Sequence, residues 1–190
     1  MRTPRRKSLR NARQRGLTLT DTILVLVISG ILISGVGILF LRGLTDTKTN
    51  VGFQQFISMQ KSVRELYSGS ANFAGLDNTV MDNSGFVPPD IKTTTVGEFR
   101  NTWGGEVIVE TNGGTPDRFD IAFEGVPSEA CSRIISYSGN QTGTTDGLDS
   151  IIVTANGSDT TFSSFPTDVA AVVAACDDGS DEATMRWVLY

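Results

Sequence analysis

The chain has 190 residues and contains no histidine. That removes His-based triads, imidazole metal sites and the usual proton shuttle near neutral pH. There is no Walker loop and no dinucleotide fingerprint, and none of the serines sits in a recognisable nucleophile turn. Acidic residues are missing from positions 1–16, which carry seven basic groups: Arg2, Arg5, Arg6, Lys7, Arg10, Arg13 and Arg15. Proline is missing between Leu17 and Phe86, and charge is missing from Ile23 to Leu41. Cysteine is scarce, with only Cys131 and Cys176.

Each shortage narrows the function. The net charge of −5 conceals a segregation, because the chain after residue 16 carries nine basic and 21 acidic residues, a balance of −12. An acidic body excludes nucleic acid as an expected partner, since phosphate affinity needs Lys and Arg. Two cysteines permit one disulfide in an oxidising compartment, and two buried free thiols are the alternative in a reducing one. A bond between them would stabilise the fold by ~4 kcal/mol in the chain-entropy picture. The length suits one compact domain plus an appendage.

The strongest positive signal is the apolar run Ile23–Leu41, which continues back to Leu17 with only Asp21 interrupting it. About 20 such residues span a bilayer core as a helix. The basic cluster precedes the run, so the N-terminus is expected in the cytoplasm and the C-terminal domain outside. The run is longer than the ~7–15 residues of a secretory signal core, and Arg42-Gly43-Leu44-Thr45 after it lacks a small-residue cleavage pattern. A plain uncleaved anchor is the other alternative. Beyond the run, Phe53, Phe56, Ile57, Val63, Leu66 and Tyr67 recur at three- and four-residue spacing, which predicts an amphipathic helix. The two halves read as one helix of about 50 residues, or about 75 Å. Ser68-Gly69 is its expected C-terminal cap, and Gly43 and Gly52 weaken it locally.

The rest reads as an α+β domain, a largely antiparallel sheet packed on the long helix. Helices are expected at Asp77–Asn83, Ser128–Tyr137 and Thr167–Ala175, the last capped by Thr167 or Asp168. Strands are expected at Glu106–Glu110, Arg118–Glu124, Ser150–Ala155, Thr160–Phe165 and Ala183–Leu189. In the second of these, Phe119, Ile121 and Phe123 alternate with Asp120, Ala122 and Glu124, the period of a half-buried strand. Asn156-Gly157 signals a tight turn, and the polar stretch Ser138–Asp149 reads as a surface loop. The acidic group Asp177, Asp178, Asp181 and Glu182 could offer oxygens to calcium but lacks EF-hand spacing. It is read as a solvated turn, with no metal and no cofactor assigned.

One position calls for chemistry. Asp21 stands at the start of the apolar run, where a carboxylate is costly and suggests a partner. The plain alternative is an N-terminal helix acid, favoured by the dipole near the headgroups. The sharper reading has the chain cut between Gly16 and Leu17. That cut removes all seven basic residues and creates an α-amine on Leu17. In a bundle of apolar helices, the amine of a neighbouring copy would meet Asp21 and relieve both desolvation costs.

A basic leader ending in glycine, followed by a long apolar helix with an acid five residues after the cut, resembles type IV prepilins. The 16-residue leader, Leu17 rather than Phe after the cut, and the 174 remaining residues are similar to the type IVb subclass. Glu65-Leu66-Tyr67, Gly75-Leu76, Ser84-Gly85-Phe86-Val87-Pro88, Asn101-Thr102-Trp103-Gly104-Gly105-Glu106-Val107 and Val126-Pro127 before Cys131 resemble the major pilins of conjugative-plasmid and enterobacterial thin pili.

The resemblance implies a type IV pilin fold and a non-enzymatic structural subunit: leader 1–16, long helix 17–68 with a transmembrane segment 17–44, and globular domain 69–190. It implies cleavage after Gly16 and methylation of the Leu17 amine by a prepilin peptidase. A Cys131–Cys176 disulfide would bound the C-terminal region. Extraction from the inner membrane, with the N-terminus cytoplasmic, would be driven by an assembly platform and its ATPase. The product would be an extracellular homopolymer serving adhesion, aggregation or conjugative mating contact, through a host or recipient receptor that the resemblance leaves unnamed. A minor pilin or type II secretion pseudopilin is the alternative. The family usually has Glu where this chain has Asp21, a shorter acid with less reach. The helix-breaking proline of the other pilin subclass is missing, and Gly30, Gly35 and Gly37 are the expected points of close packing and local unwinding.

Overall fold

A computed structural model describes residues 19–113, 115–141, 147–177 and 182–190, with the side chains of 34–45 and 139–141 outside that description. The chain divides into two compact units, residues 1–42 and 43–190. One helix, α1 (Leu19–Leu66), contributes to both, and no proline interrupts it.

In the larger unit α1 is followed by α2 (Asn78–Ser84), β1 (Phe99–Arg100), β2 (Glu106–Thr111), β3 (Phe119–Pro127) and α3 (Ser128–Gln141). Then come β4 (Leu148–Ala155), β5 (Ser158–Phe162), α4 (Val169–Cys176) and β6 (Glu182–Leu189). The six strands run in the order β1-β2-β3-β6-β4-β5, and every neighbouring pair is antiparallel. This is the α+β arrangement that the alternating and helical periods predict.

The last strand fills the middle of the sheet. Trp187 on β6 lies opposite Ile121 of β3 and Ile151 of β4. Its indole stacks on Phe56 of α1 at 4.4 Å between ring centres and meets Phe123 edge-on at 5.3 Å. Such pairs contribute roughly 0.5–1.5 kcal/mol each beyond the area they bury. Phe56, Met59 and Val63, spaced three and four apart on α1, are fully buried there, so the second half of α1 closes the core over the sheet.

Local chemistry sets the ends of the elements. Asp77 accepts from the Val80 N–H at the start of α2, and Gly85 ends that helix at φ 76°, a left-handed cap. Asp168 caps α4 by accepting from the Ala170 N–H. Asn156 (φ 47°) and Gly157 (φ 78°) form the two-residue turn between β4 and β5. The free edge of β2 beyond β1 is covered. Asn78 donates to the Val107 carbonyl and accepts from the Val109 N–H, and the Thr111 N–H reaches the Leu76 carbonyl.

Three expectations need correction. α1 stops at Leu66 through tight bonds, Ser68 N–H to Glu65 carbonyl and Ser70 N–H to Tyr67 carbonyl, and not through a left-handed Gly69. The predicted loop 138–149 is partly regular, because α3 runs on to Gln141 and β4 begins at Leu148. In β3, Asp120 and Ala122 are buried along with the core-facing residues. Arg186 and Asn112 cover Asp120 on the reverse face, at 3.3 and 2.9 Å. The two-residue β1 has no sequence period to announce it.

Candidate functional site

Asp21 lies in the first turn of α1, where the unsatisfied N–H groups and the helix dipole favour an acid. Every large apolar side chain described between Leu19 and Ile33 is exposed, from Leu19 at 81% to Ile28 at 49%. A helix that is apolar on all sides is built to be covered on all sides. Among the described residues no helix is long and apolar enough to cross a membrane; the predicted span runs on into 34–45, where side chains are not described. Gly30, Gly35 and Gly37 all lie on helical backbone, and a Cβ at Gly30 would meet nothing within 4 Å. Gly16 and Leu17 lie outside the described residues, as do Asp178 and Asp181 of the acidic group.

Cys131 and Cys176 are bonded, with Cα atoms 5.9 Å apart, and both are fully buried. The bond joins the first turn of α3 to the last residue of α4. Ala130, Ile134 and Ile135 bury α3, while Val172 and Ala175 bury one face of α4. The closed segment, 131–176, holds most of α3 together with β4, β5 and α4. On the other side of α3, Arg133 pairs with Asp46 of α1 and with Glu129.

In the segment Asn101-Thr102-Trp103-Gly104-Gly105, the side chains of Asn101 and Trp103 and the bare Cα of Gly105 each have a structural reason. Asn101 is buried; its amide donates to the Glu124 carbonyl at 2.7 Å and its oxygen accepts from the N–H groups of Trp103 and Gly105. Gly105 lies so close to β3 that a Cβ would sit 1.7 Å from the Glu124 carbonyl oxygen. The Trp103 ring lies over Gly52 of α1, where a Cβ would come within 2.2 Å of it. Gln55, one turn further, accepts from the Thr102 N–H and donates to Asp90. Gly52 is therefore the seat of the indole and not a flaw in the helix. Sequence reasoning missed this pairing; its signal was a helix-interior glycine in a chain that also carries a Trp-Gly-Gly turn.

Charge on this side is locally matched. Asp82 is held below the usual carboxylate range, first by its hydrogen bond from Lys92 and then by the Gly97 N–H. Glu98 is lowered by Arg100, which grips it at 2.6 Å, and Arg100 is raised in turn. Burial pushes the Tyr67 hydroxyl upward, and Asp77 adds to the effect.

Comparison with known proteins bears on this arrangement. The family model described as PilS N terminal matches residues 46–190. The major structural subunit of bundle-forming pilus from Escherichia coli O127:H6 (strain E2348/69 / EPEC) is 25% identical over 119 residues, covering 62% of each chain. The subunit of the same description from Escherichia coli O111:H- matches equally. This chain thus spans about three-fifths of the length of the curated relatives it matches. The crystal structure of type IV b pilin from Salmonella typhi superposes with a TM-score of 0.55 at 18% identity, covering 73% of this chain and 97% of that one. TcpA, a type IV pilin from Vibrio cholerae El Tor biotype, gives 0.52 at 11% identity, over 76% and 99%. The chain belongs to the PilS family and has the type IVb pilin fold.

Proposed function

We propose that this protein is the major structural subunit of a type IVb pilus, made as a prepilin and polymerised into an extracellular filament. The observation that carries the reading is the first half of α1, an all-round apolar helix with one acid, Asp21, in its first turn. The bundle-forming relatives favour the major subunit over a minor pilin or a secretion pseudopilin.

In this reading residues 1–16 are the leader and 17–68 the long helix, with its membrane segment over 17–44. Residues 69–190 are the outer domain. A prepilin peptidase cuts after Gly16 and methylates Leu17. Before assembly the chain crosses the inner membrane once, N-terminus inside, and an ATP-driven platform extracts it. In the filament Asp21 meets the Leu17 amine of an adjoining subunit, a pairing that replaces lost hydration for both groups. Gly30, Gly35 and Gly37 let neighbouring helices approach and unwind locally. The subunit performs no catalysis; its work is mechanical and adhesive.

The mass of the mature N-terminus tests the core of this. A chain beginning at methylated Leu17 is expected, and one beginning at Met1 would remove the amine that Asp21 requires. Asp21→Ala should give processed protein in the membrane with few surface fibres; fibre yield equal to the parent would show that the acid has no assembly role.

A further inference from the structure

We infer that the Phe86 side chain of one subunit seats in a cleft between α1 and α3 of the next. The inference rests on the polymer reading above and names one of its contacts.

Phe86 is an aromatic side chain held outward. Gly85 ends α2 in a left-handed turn just before it. Its N–H donates to Ser84 Oγ at 3.2 Å, and its carbonyl accepts from Ser62 Oγ of α1 at 2.8 Å. Val87, the next residue, is buried in the core and is followed by Pro88. Both backbone polar groups of Phe86 are thus fixed and its neighbour is plugged inward, leaving its ring 42% exposed. An exposed aromatic on a rigid backbone loses little freedom when a partner covers it, which is what a binding anchor needs.

The socket lies in the same unit. A cleft of about 130 Å³ is lined by Thr49, Asn50, Phe53 and Gln54 of α1 and by Ile134 and Tyr137 of α3. It suits one side chain and is too small for a cofactor. Its lining mixes apolar Phe53 and Ile134 with polar Thr49, Asn50 and Gln54, and the rings of Phe53 and Tyr137 stand 6.1 Å apart. Tyr137 is 54% exposed.

Placement decides the occupant. Ser62, which holds Phe86, and Phe53, which lines the cleft, are nine residues apart, half a turn out of phase at about 100° per residue. Knob and socket therefore lie on opposite flanks of α1 and do not meet within one chain. A different surface on each partner makes a head-to-tail contact, the kind that propagates into a filament. Charge agrees. Lys61 shares the helical strip of Asn50 and Gln54 beside the cleft and has neither ion pair nor hydrogen bond among the described residues. The flank carrying Phe86 holds Asp77, Asp82, Asp90 and Glu98 against Lys92 and Arg100, whose pairs with Asp82 and Glu98 leave Asp77 and Asp90 without an ion pair among the described residues.

Hydroxyl-radical footprinting of unmodified protein tests the contact, comparing sheared filaments with membrane-extracted subunits. Oxidation of both Phe86 and Tyr137 should drop on assembly, measured against an added reference peptide. Filaments in which either residue labels as fast as in the free subunit would overturn the inference and leave the polymer reading standing. Absence of filaments from the parent chain would instead overturn both. As a second arm, a subunit with Phe86→Cys and Gln54→Cys should give a ladder of covalent multimers from oxidised filaments, and neither single variant should. Filaments that form without a ladder would count against the seat. Phe86→Ala should speed subunit loss from filaments by about 30-fold, the scale of a buried aromatic hot spot, and an unchanged loss rate would refute the anchor role.

Discussion

Two flanks of the outer domain are fixed by different means. On one, α3 and α4 are joined by a buried disulfide over a separation of 45 residues and pack through small aliphatic side chains. On the other, residues 84–105 are tied down by polar side chains reaching backbone: Ser62 to Phe86, Gln55 to Thr102, and Asn101 to Glu124, Trp103 and Gly105. A covalent link acts mainly on the unfolded chain and tolerates varied sequence inside the loop it closes. Directional bonds act on the folded chain and fix residue identity, because each buried donor or acceptor left alone costs about 1–3 kcal/mol. The disulfide flank can thus vary in sequence without losing its fold, while the polar flank holds one shape through named residues.

Removing the bond should break the comparison most strongly. Cys131→Ala with Cys176→Ala should lower unfolding free energy by about 4 kcal/mol. Limited proteolysis should then begin inside 132–175 and not in 84–105. Protease resistance equal to the parent would mean that α3 and α4 hold by packing alone.

Asn101→Ala comes next. It strands the Glu124 carbonyl and two N–H groups, so a loss of roughly 3 kcal/mol is expected, read as a shift in denaturant midpoint at constant slope. Gly52→Ala is smaller. The added methyl forces the Trp103 ring off its seat, an overpacking cost of about 1–3 kcal/mol, partly offset by about 1 kcal/mol of helix propensity. The signature is Trp103 fluorescence shifting to the red as the indole meets water. Unchanged emission would show that the ring had other room.

These positions also mark how far the sequence could be read. Local pattern was enough for the helix and for strands at Glu106–Glu110 and Arg118–Glu124, which the structure places at Glu106–Thr111 and Phe119–Pro127. The string from Gly16 to Asp21 is contiguous, and the proposed cleavage and pairing rest on it. What stayed hidden were pairings between distant residues. Gly52 looks like a helix weakness until Trp103, about 50 positions away, is laid over it. Asp120 looks solvent-facing until Arg186 arrives from the last strand. The end of α3 looks like a loop because Ser, Gly and Asn disfavour helix. Ser132 and Ser136 instead donate to carbonyls four residues back, and Ser138 is buried. Phe86 gave no sign in sequence that its ring would face outward.

The smallest effect expected is one of pH, and it falls on the polar flank alone. Asp82 and Glu98 are held below their ordinary values in the folded state by Lys92 and Arg100 respectively. A depressed carboxyl contributes stability above its unfolded value and loses it as pH falls through the folded one. Loosening should therefore begin below about pH 4. Both pairs lie at the surface, with 15% of the Asp82 and 34% of the Glu98 side chain exposed, so screening keeps the contribution small. Asp82→Asn cannot titrate and gives up the Lys92 ion pair, so its stability at neutral pH should fall slightly and its acid slope should flatten. Hydrogen exchange at the Gly97 N–H, which donates to Asp82 at 3.0 Å, is the local reporter. After correction for intrinsic exchange rates, protection there should weaken on acidification in the parent and stay level in the variant. The amides of β4, inside the loop closed by the disulfide, should show no difference between the two proteins. Equal acid slopes at Gly97 would mean that Lys92 holds this turn by its length and not by its charge.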